Sequence, residues 1–234
     1  MITLAIDTAT KTAGVALLRD ETILVEYFFN LTVNHSETVL PAVHQGLALA
    51  GIGVDGVDLF ALTVGPGSFT GLRIGASTVK GLALATGKPV VGISTLEALA
   101  YNAVDYPGLI CPMLDARKGE VYAALYRRND EGFLDAVQEE QATTPAQFLP
   151  GIDGQVLFLG DGLAEYGDFI RRSFCERAHF APPNRQAVRA SSVALIGRRN
   201  HGRGERLDVV SFVPRYLRRS EAEVRHAGKP EKKG

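Results

Sequence analysis

The chain has 234 residues, 46% apolar and 22% charged, the make-up of a globular protein with core enough for one large domain or two small ones. A formal net charge of -1 excludes whole-molecule attraction to nucleic acid or membrane, although residues 1–117 carry 6 Lys/Arg against 10 Asp/Glu and residues 118–234 carry 19 against 16. Cys111 and Cys175 provide neither a disulfide framework nor a metal-ligand spacing. The start lacks a signal h-region, and no apolar run suffices to span a bilayer, so a cytoplasmic protein without membrane association is expected.

Residues 2–6 form an apolar run that ends on Asp7 and the polar turn 8–12. Residues 14–18 and 22–29 follow, and the three strands read as an antiparallel meander. From Ser36 the apolar positions Val39, Leu40, Val43, Leu47 and Ala50 take helical spacing. Asn34 or Ser36 can cap this helix, and Gly51 ends it. A strand over 59–64 breaks at Gly65-Pro66-Gly67, a helix runs from Thr70 to Thr86, and Gly87 closes it. A strand over 90–93 leads to a helix from Ser94 to Val104.

The same grammar then restarts. Residues 109–114 run into Asp115 and a polar turn, residues 121–126 form the next strand, and a strand over 156–160 ends on Gly. Helices are predicted over 145–149, 163–172 and 191–199. Two duplicated βββαβα units follow, the second abbreviated. The expected organisation is α/β, with an N-terminal lobe over 1–105 carrying the dimerisation helices, a C-terminal lobe over 106–220 and a basic flexible tail over 221–234. The basic run already includes Arg215, Arg218 and Arg219.

Two equivalent Asp-turns in duplicated lobes would face each other across a cleft. Turn N–H groups and Thr hydroxyls there suit a nucleotide phosphate, and an Asp suits its metal or water. The expected nucleotide-binding residues, in a site that is active or vestigial, are Asp7, Thr8, Thr10, Asp115, Gly160, Asp161 and Gly162. The plainer reading is that each Asp caps its own turn. Arg117 and Lys118 also stand where a phosphate loop is usually rich in Gly.

The helix after Gly65-Pro66-Gly67 is small and apolar on most faces, with Gly71, Gly75, Ala76, Gly81, Ala83 and Ala85. A helix of that kind is buried on more than one side, either inside one domain or against a partner's helix. The partner reading assigns the interface to His35, Ser36, Glu37, Val39, Leu40, Val43, Phe69, Thr70, Leu72, Arg73, Gly75 and Ala76. No two histidines share a metal-ligand spacing, and there is neither a nucleophile elbow nor a P-loop. Neither catalytic nor metal-ligating residues are expected.

The stretches Ile6-Asp7-Thr8-Ala9-Thr10, His35-Ser36-Glu37, 65–75, 88–96, Asp115-Ala116-Arg117 and Tyr216-Leu217-Arg218 together resemble the bacterial TsaB (YeaZ) family. The match is specific over residues 1–128 and looser to Glu223. The resemblance implies an actin-like ATPase (RNase H-like) fold. It also implies a non-catalytic scaffold in transfer of a threonylcarbamoyl group to N6 of the adenosine beside the tRNA anticodon. Its implied partners are a TsaD-like catalytic subunit, a TsaE-like ATPase and tRNA through the complex, with a homodimer when alone. No cofactor is required, and ATP or ADP is an optional occupant. The metal-binding histidines of the catalytic paralogue fall on Thr95 and Leu99, which cannot replace them. The alternative is an independent small-molecule kinase or ATPase using Asp7 and Asp115.

Overall fold

The computed structural model describes residues 1–31 and 34–218. Its first half comprises β1 (Ile2–Asp7), β2 (Ala13–Arg19), β3 (Thr22–Phe29), α1 (His35–Ala50), β4 (Leu59–Gly65), α2 (Phe69–Thr86), β5 (Val90–Ser94) and α3 (Thr95–Tyr101). Its second half comprises β6 (Leu109–Arg117), β7 (Glu120–Arg128), β8 (Leu134–Thr143), α4 (Pro145–Phe148), β9 (Val156–Leu159), α5 (Leu163–Phe174), β10 (Ala178–Phe180) and α6 (Ala190–Gly202).

The two halves share one topology. The sheets run β3-β2-β1-β4-β5 and β8-β7-β6-β9-β10, so each opening strand is central, antiparallel to the second and parallel to the fourth. A strand with neighbours on both edges and helices on both faces must be apolar throughout, which explains the runs at 2–6 and 109–114. The second unit is therefore complete rather than abbreviated. β8 escaped the sequence reading because LDAVQEEQAT is an edge strand with only Leu134 buried, and β10 is three residues long.

Side-chain alternation separates two cores. Leu4, Ile6, Val15, Leu17, Phe60 and Leu62 face the outer layer of α1 and α2. Ala5, Ala16, Leu18, Leu59 and Ala61 face the other way, into a core shared with α3, α6 and the second sheet. Small residues let the inner layer approach closely: a Cβ on Gly197 of α6 would lie 2.7 Å from the Cβ of Ala61. α6 and residues 207–212, given by sequence to the 106–220 lobe, pack on the first sheet, while α3 packs under the second. Both helices lie between the sheets because each sheet leaves an apolar inner face to cover. The tail over 221–234 lies outside the described residues. No helix among those described is long and apolar enough to cross a membrane.

Candidate functional site

Asp7 ends β1 and is fully buried. Its Oδ1 accepts the Thr63 hydroxyl at 2.7 Å and the Ala9 N–H at 3.1 Å, while its Oδ2 has no partner. Burial disfavours the charged form and pushes its pKa up to about 6, with the two hydrogen bonds and the His35 charge holding it partly down. Thr8 is buried too, and its hydroxyl donates to the Gly71 carbonyl at 2.7 Å. The first turn of α2 therefore seals the β1 turn. A Cβ would come within 2.2 Å of the Ala9 carbonyl oxygen at Gly67, and within 2.0 Å of that of Thr8 at Gly71. Ser68 caps α2 by accepting the Gly71 N–H.

The second half repeats the device. A Cβ on Gly160 would meet the Met113 carbonyl oxygen at 2.1 Å, and the Gly162 N–H donates to that same oxygen at 3.1 Å. The Asp115 N–H donates to Asp161 Oδ1 at 3.0 Å, and Asp115 Oδ1 accepts the Arg117 N–H at 2.7 Å. Arg117 (φ 66°), Lys118 (φ 57°) and Gly119 (φ 82°) all adopt left-handed backbone, so cationic side chains occupy a conformation that glycine favours.

Between the two turns lies a cleft of about 480 Å³. Thr10, Lys11, Ser68 and Phe69 line one wall; Asp115, Arg117, Lys118, Tyr122 and Asp161 line the other. His35, at the start of α1, bonds through Nε2 to the Thr10 carbonyl at 2.9 Å and reaches the same rim. The structure thus brings Thr10, Asp115 and Asp161 to the cleft. It leaves Asp7 and Thr8 sealed beneath the wall and uses Gly160 and Gly162 for packing. Sequence reasoning missed Lys11, Tyr122 and residues 216–218 as cleft residues. Arg218, by sequence part of the basic run toward the tail, donates to the Ala116 carbonyl at 2.8 Å.

The expected interface residues also divide. Val39, Val43, Leu72, Gly75 and Ala76 are buried in the chain's own core. Gly75 in particular packs on Thr8. His35 and Phe69 are half-buried at the cleft, whereas Ser36, Glu37, Leu40, Thr70 and Arg73 are exposed. The open small-residue stripe of α2 is Ser77, Gly81 and Ala85, one helical turn apart, with Leu84 beside it 63% exposed. On α1, Leu40 is 53% exposed. Thr95 and Leu99 are fully buried in the layer between the sheets.

Two sheets of identical order, each opening on a strand–Asp–turn and meeting at a cleft, define an actin-like ATPase (RNase H-like) fold. Component A of the (R)-2-hydroxyglutaryl-CoA dehydratase from Acidaminococcus fermentans shares this architecture at a TM-score of 0.51 and 11% identity, over 86% of this chain and 99% of its own. The family model described as "TsaD: tRNA N6-adenosine threonylcarbamoyltransferase" matches residues 30–226. The "tRNA threonylcarbamoyladenosine biosynthesis protein TsaB" of Bacillus subtilis (strain 168) is 36% identical over 228 residues, 96% of this chain and 97% of the relative. YeaZ from Pseudomonas aeruginosa superposes at a TM-score of 0.80 and 28% identity, over 92% of this chain and 99% of its own. The chain belongs to the TsaB (YeaZ) family.

Proposed function

We propose that the chain is a non-catalytic subunit of the complex that places a threonylcarbamoyl group on N6 of the adenosine next to the tRNA anticodon. It pairs with a TsaD-like transferase, is joined by a TsaE-like ATPase, meets tRNA through that complex and works in the cytoplasm. The name of the Bacillus subtilis relative supports the process. The observation that carries the scaffold role is the outer face of α1 and α2, where Leu40, Arg73, Ser77, Gly81 and Leu84 stay exposed on helices otherwise packed into the core. A Cβ on Gly81 would meet nothing within 4 Å, so a partner's helix can come close to the backbone there. The same face pairs two copies when the transferase is absent.

The cleft does not fit a metal–nucleotide held by Asp7, because that carboxylate is sealed from it and the Thr8 hydroxyl is already used. We keep ATP or ADP as an optional occupant of the cleft, held without Asp7. A nucleotide phosphate entering the cleft would meet Lys11, Arg117 and Lys118 instead. The competing reading, an independent kinase or ATPase, needs Asp7 in contact with its nucleotide. ATP hydrolysis by the purified chain at enzyme-like rates, abolished by Asp7→Ala, would establish that reading.

The scaffold role is tested by co-purification with a TsaD-like transferase. Leu40→Glu, Gly81→Glu and Leu84→Glu should each lose the complex while the chain stays folded, with no fall in melting temperature. Retention of the complex by all three would remove the interface from this face.

A further inference from the structure

Residues 207–218 leave α6 and cross from the first sheet to the rim of the second, and the two parts of this segment are held very differently. The first part is anchored. The Leu207 N–H donates to the Val90 carbonyl at 2.8 Å, Phe212 is buried in the outer core, and Lys80 of α2 donates to the Val210 carbonyl at 3.0 Å. Beyond Val213 the hold is a few polar and ring contacts. The Arg215 N–H donates to the Val64 carbonyl at 2.7 Å. Its side chain, 54% exposed, pairs with Glu140 of β8, whose side chain is only 9% exposed. The Tyr216 ring lies 4.6 Å from that of Phe69, at the start of α2. Arg218 bonds the Ala116 carbonyl and pairs with Glu120 at 3.3 Å.

Those last contacts bridge the halves. Glu140 belongs to the second sheet, yet it also accepts the hydroxyl of Ser94 from the first half and that of Tyr126 at 3.1 Å. Phe69 and Ala116 stand on opposite walls of the cleft, and Tyr216, Leu217 and Arg218 close the gap between them. The part-exposed Arg218–Glu120 pair and the single hydrogen bonds contribute little each, while Arg215 covers a Glu140 side chain only 9% exposed, so this end is held chiefly at Glu140 and can open while the anchored part and the shared core stay folded.

We propose that residues 214–218 are a latch on the interlobe cleft, hinged at Val213, with Glu140 and the Ala116 carbonyl as its catches. Released, it uncovers the turn around Ala116 without separating the sheets. Closed, it fixes the spacing of the two walls.

Ala116→Cys in a Cys175→Ser background reports the latch through its rate of reaction with a small aromatic disulfide reagent. Native Cys111, fully buried where the second sheet packs on α4 and α5, reports global opening in the same sample. Arg218→Ala and Arg215→Ala should each raise the rate at position 116 roughly tenfold, as the loss of one such contact allows, and leave Cys111 unchanged. Arg203→Ala, which removes a different ion pair from the end of α6 to Glu131, should leave both rates unchanged. An unchanged rate at 116 in both latch variants overturns the proposal, as does a parallel rise at Cys111. Hydrogen exchange at the Arg215 amide in Arg218→Ala, which needs no introduced thiol, should accelerate by a similar factor. Wild-type protection there would overturn the latch equally.

Discussion

Gly75 of α2 rests on Thr8 at the end of the first strand: a Cβ there would stand 2.5 Å from the Thr8 hydroxyl oxygen. That oxygen is committed to the Gly71 carbonyl, so it cannot yield without breaking a buried hydrogen bond. Gly75→Ala should cost about 2–4 kcal/mol through overpacking and the lost bond. Gly81, six residues on and open to solvent, should behave oppositely. Gly81→Ala meets nothing within 4 Å and removes backbone freedom from the unfolded chain. It should gain about 0.5–1 kcal/mol. Urea denaturation of the two variants checks both signs, and equal effects would mean that the two glycines share one environment.

Asp7 should make the fold prefer acid. Its carboxyl titrates near 3.8 when unfolded and at about 6 when buried. Below the lower value it is protonated in both states, and its burial costs no charge. As pH rises from there through about 6, the folded chain holds a proton that the unfolded chain gives up, so stability falls. The total loss is about 3 kcal/mol, complete above that window. Asp7→Asn keeps an acceptor for Thr63 and Ala9 and removes the charge. It should therefore be more stable than wild type at pH 8, with the advantage shrinking as pH falls. Parallel stability–pH curves for the two proteins between about pH 4 and pH 8 would show that burial does not raise the Asp7 pKa.

The layer between the sheets should tolerate no added volume. Gly197 sits where α6 crosses Ala61 and Ile93, and a Cβ would be 2.7 Å from one and 3.3 Å from the other. The obstacle is a short side chain on a central strand, which cannot turn aside. Gly197→Val should cost about 3 kcal/mol or more, seen as a fall in melting temperature. A wild-type melting temperature would mean that α6 can shift outward.

These positions show why the sequence is legible for elements and poorly legible for surfaces. Apolar periodicity locates the buried strands and α1, α2 and α6, because burial on one face dictates residue type. The duplicated strand–Asp–turn reveals the fold by its repetition. Yet the same Gly-rich pattern serves Gly71 and Gly75, which pack inward on Thr8, and Gly81, which faces out. Composition does not distinguish those directions; only the docking of the α2 N-terminus on the β1 turn does. Asp7 stands out in the sequence, but not as sealed, since the seal is made by backbone about 60 residues away. β8 lacks signal because a polar edge strand needs no apolar face. Arg218 reads as a tail charge until its bond to Ala116 gives it a place.

The ion pair between Glu97 of α3 and Arg199 of α6 ties the two inner helices at 2.9 Å, with both side chains largely buried. Burial raises the Glu97 pKa, the Arg199 charge opposes that rise, and the guanidinium also lies 4.4 Å from the Phe133 ring centre. Removing only the cation strands a carboxylate between the sheets, so Arg199→Met should cost about 3–5 kcal/mol at pH 7. The loss should shrink as pH falls, because protonation of Glu97 discharges the orphaned group. Glu97→Gln combined with Arg199→Met should recover a large part of it, since no buried charge is then left unpaired. A double-mutant cycle by urea denaturation measures this coupling directly. Additive losses in the double variant would show that Arg199 stabilises through its packing on Phe133 rather than through Glu97.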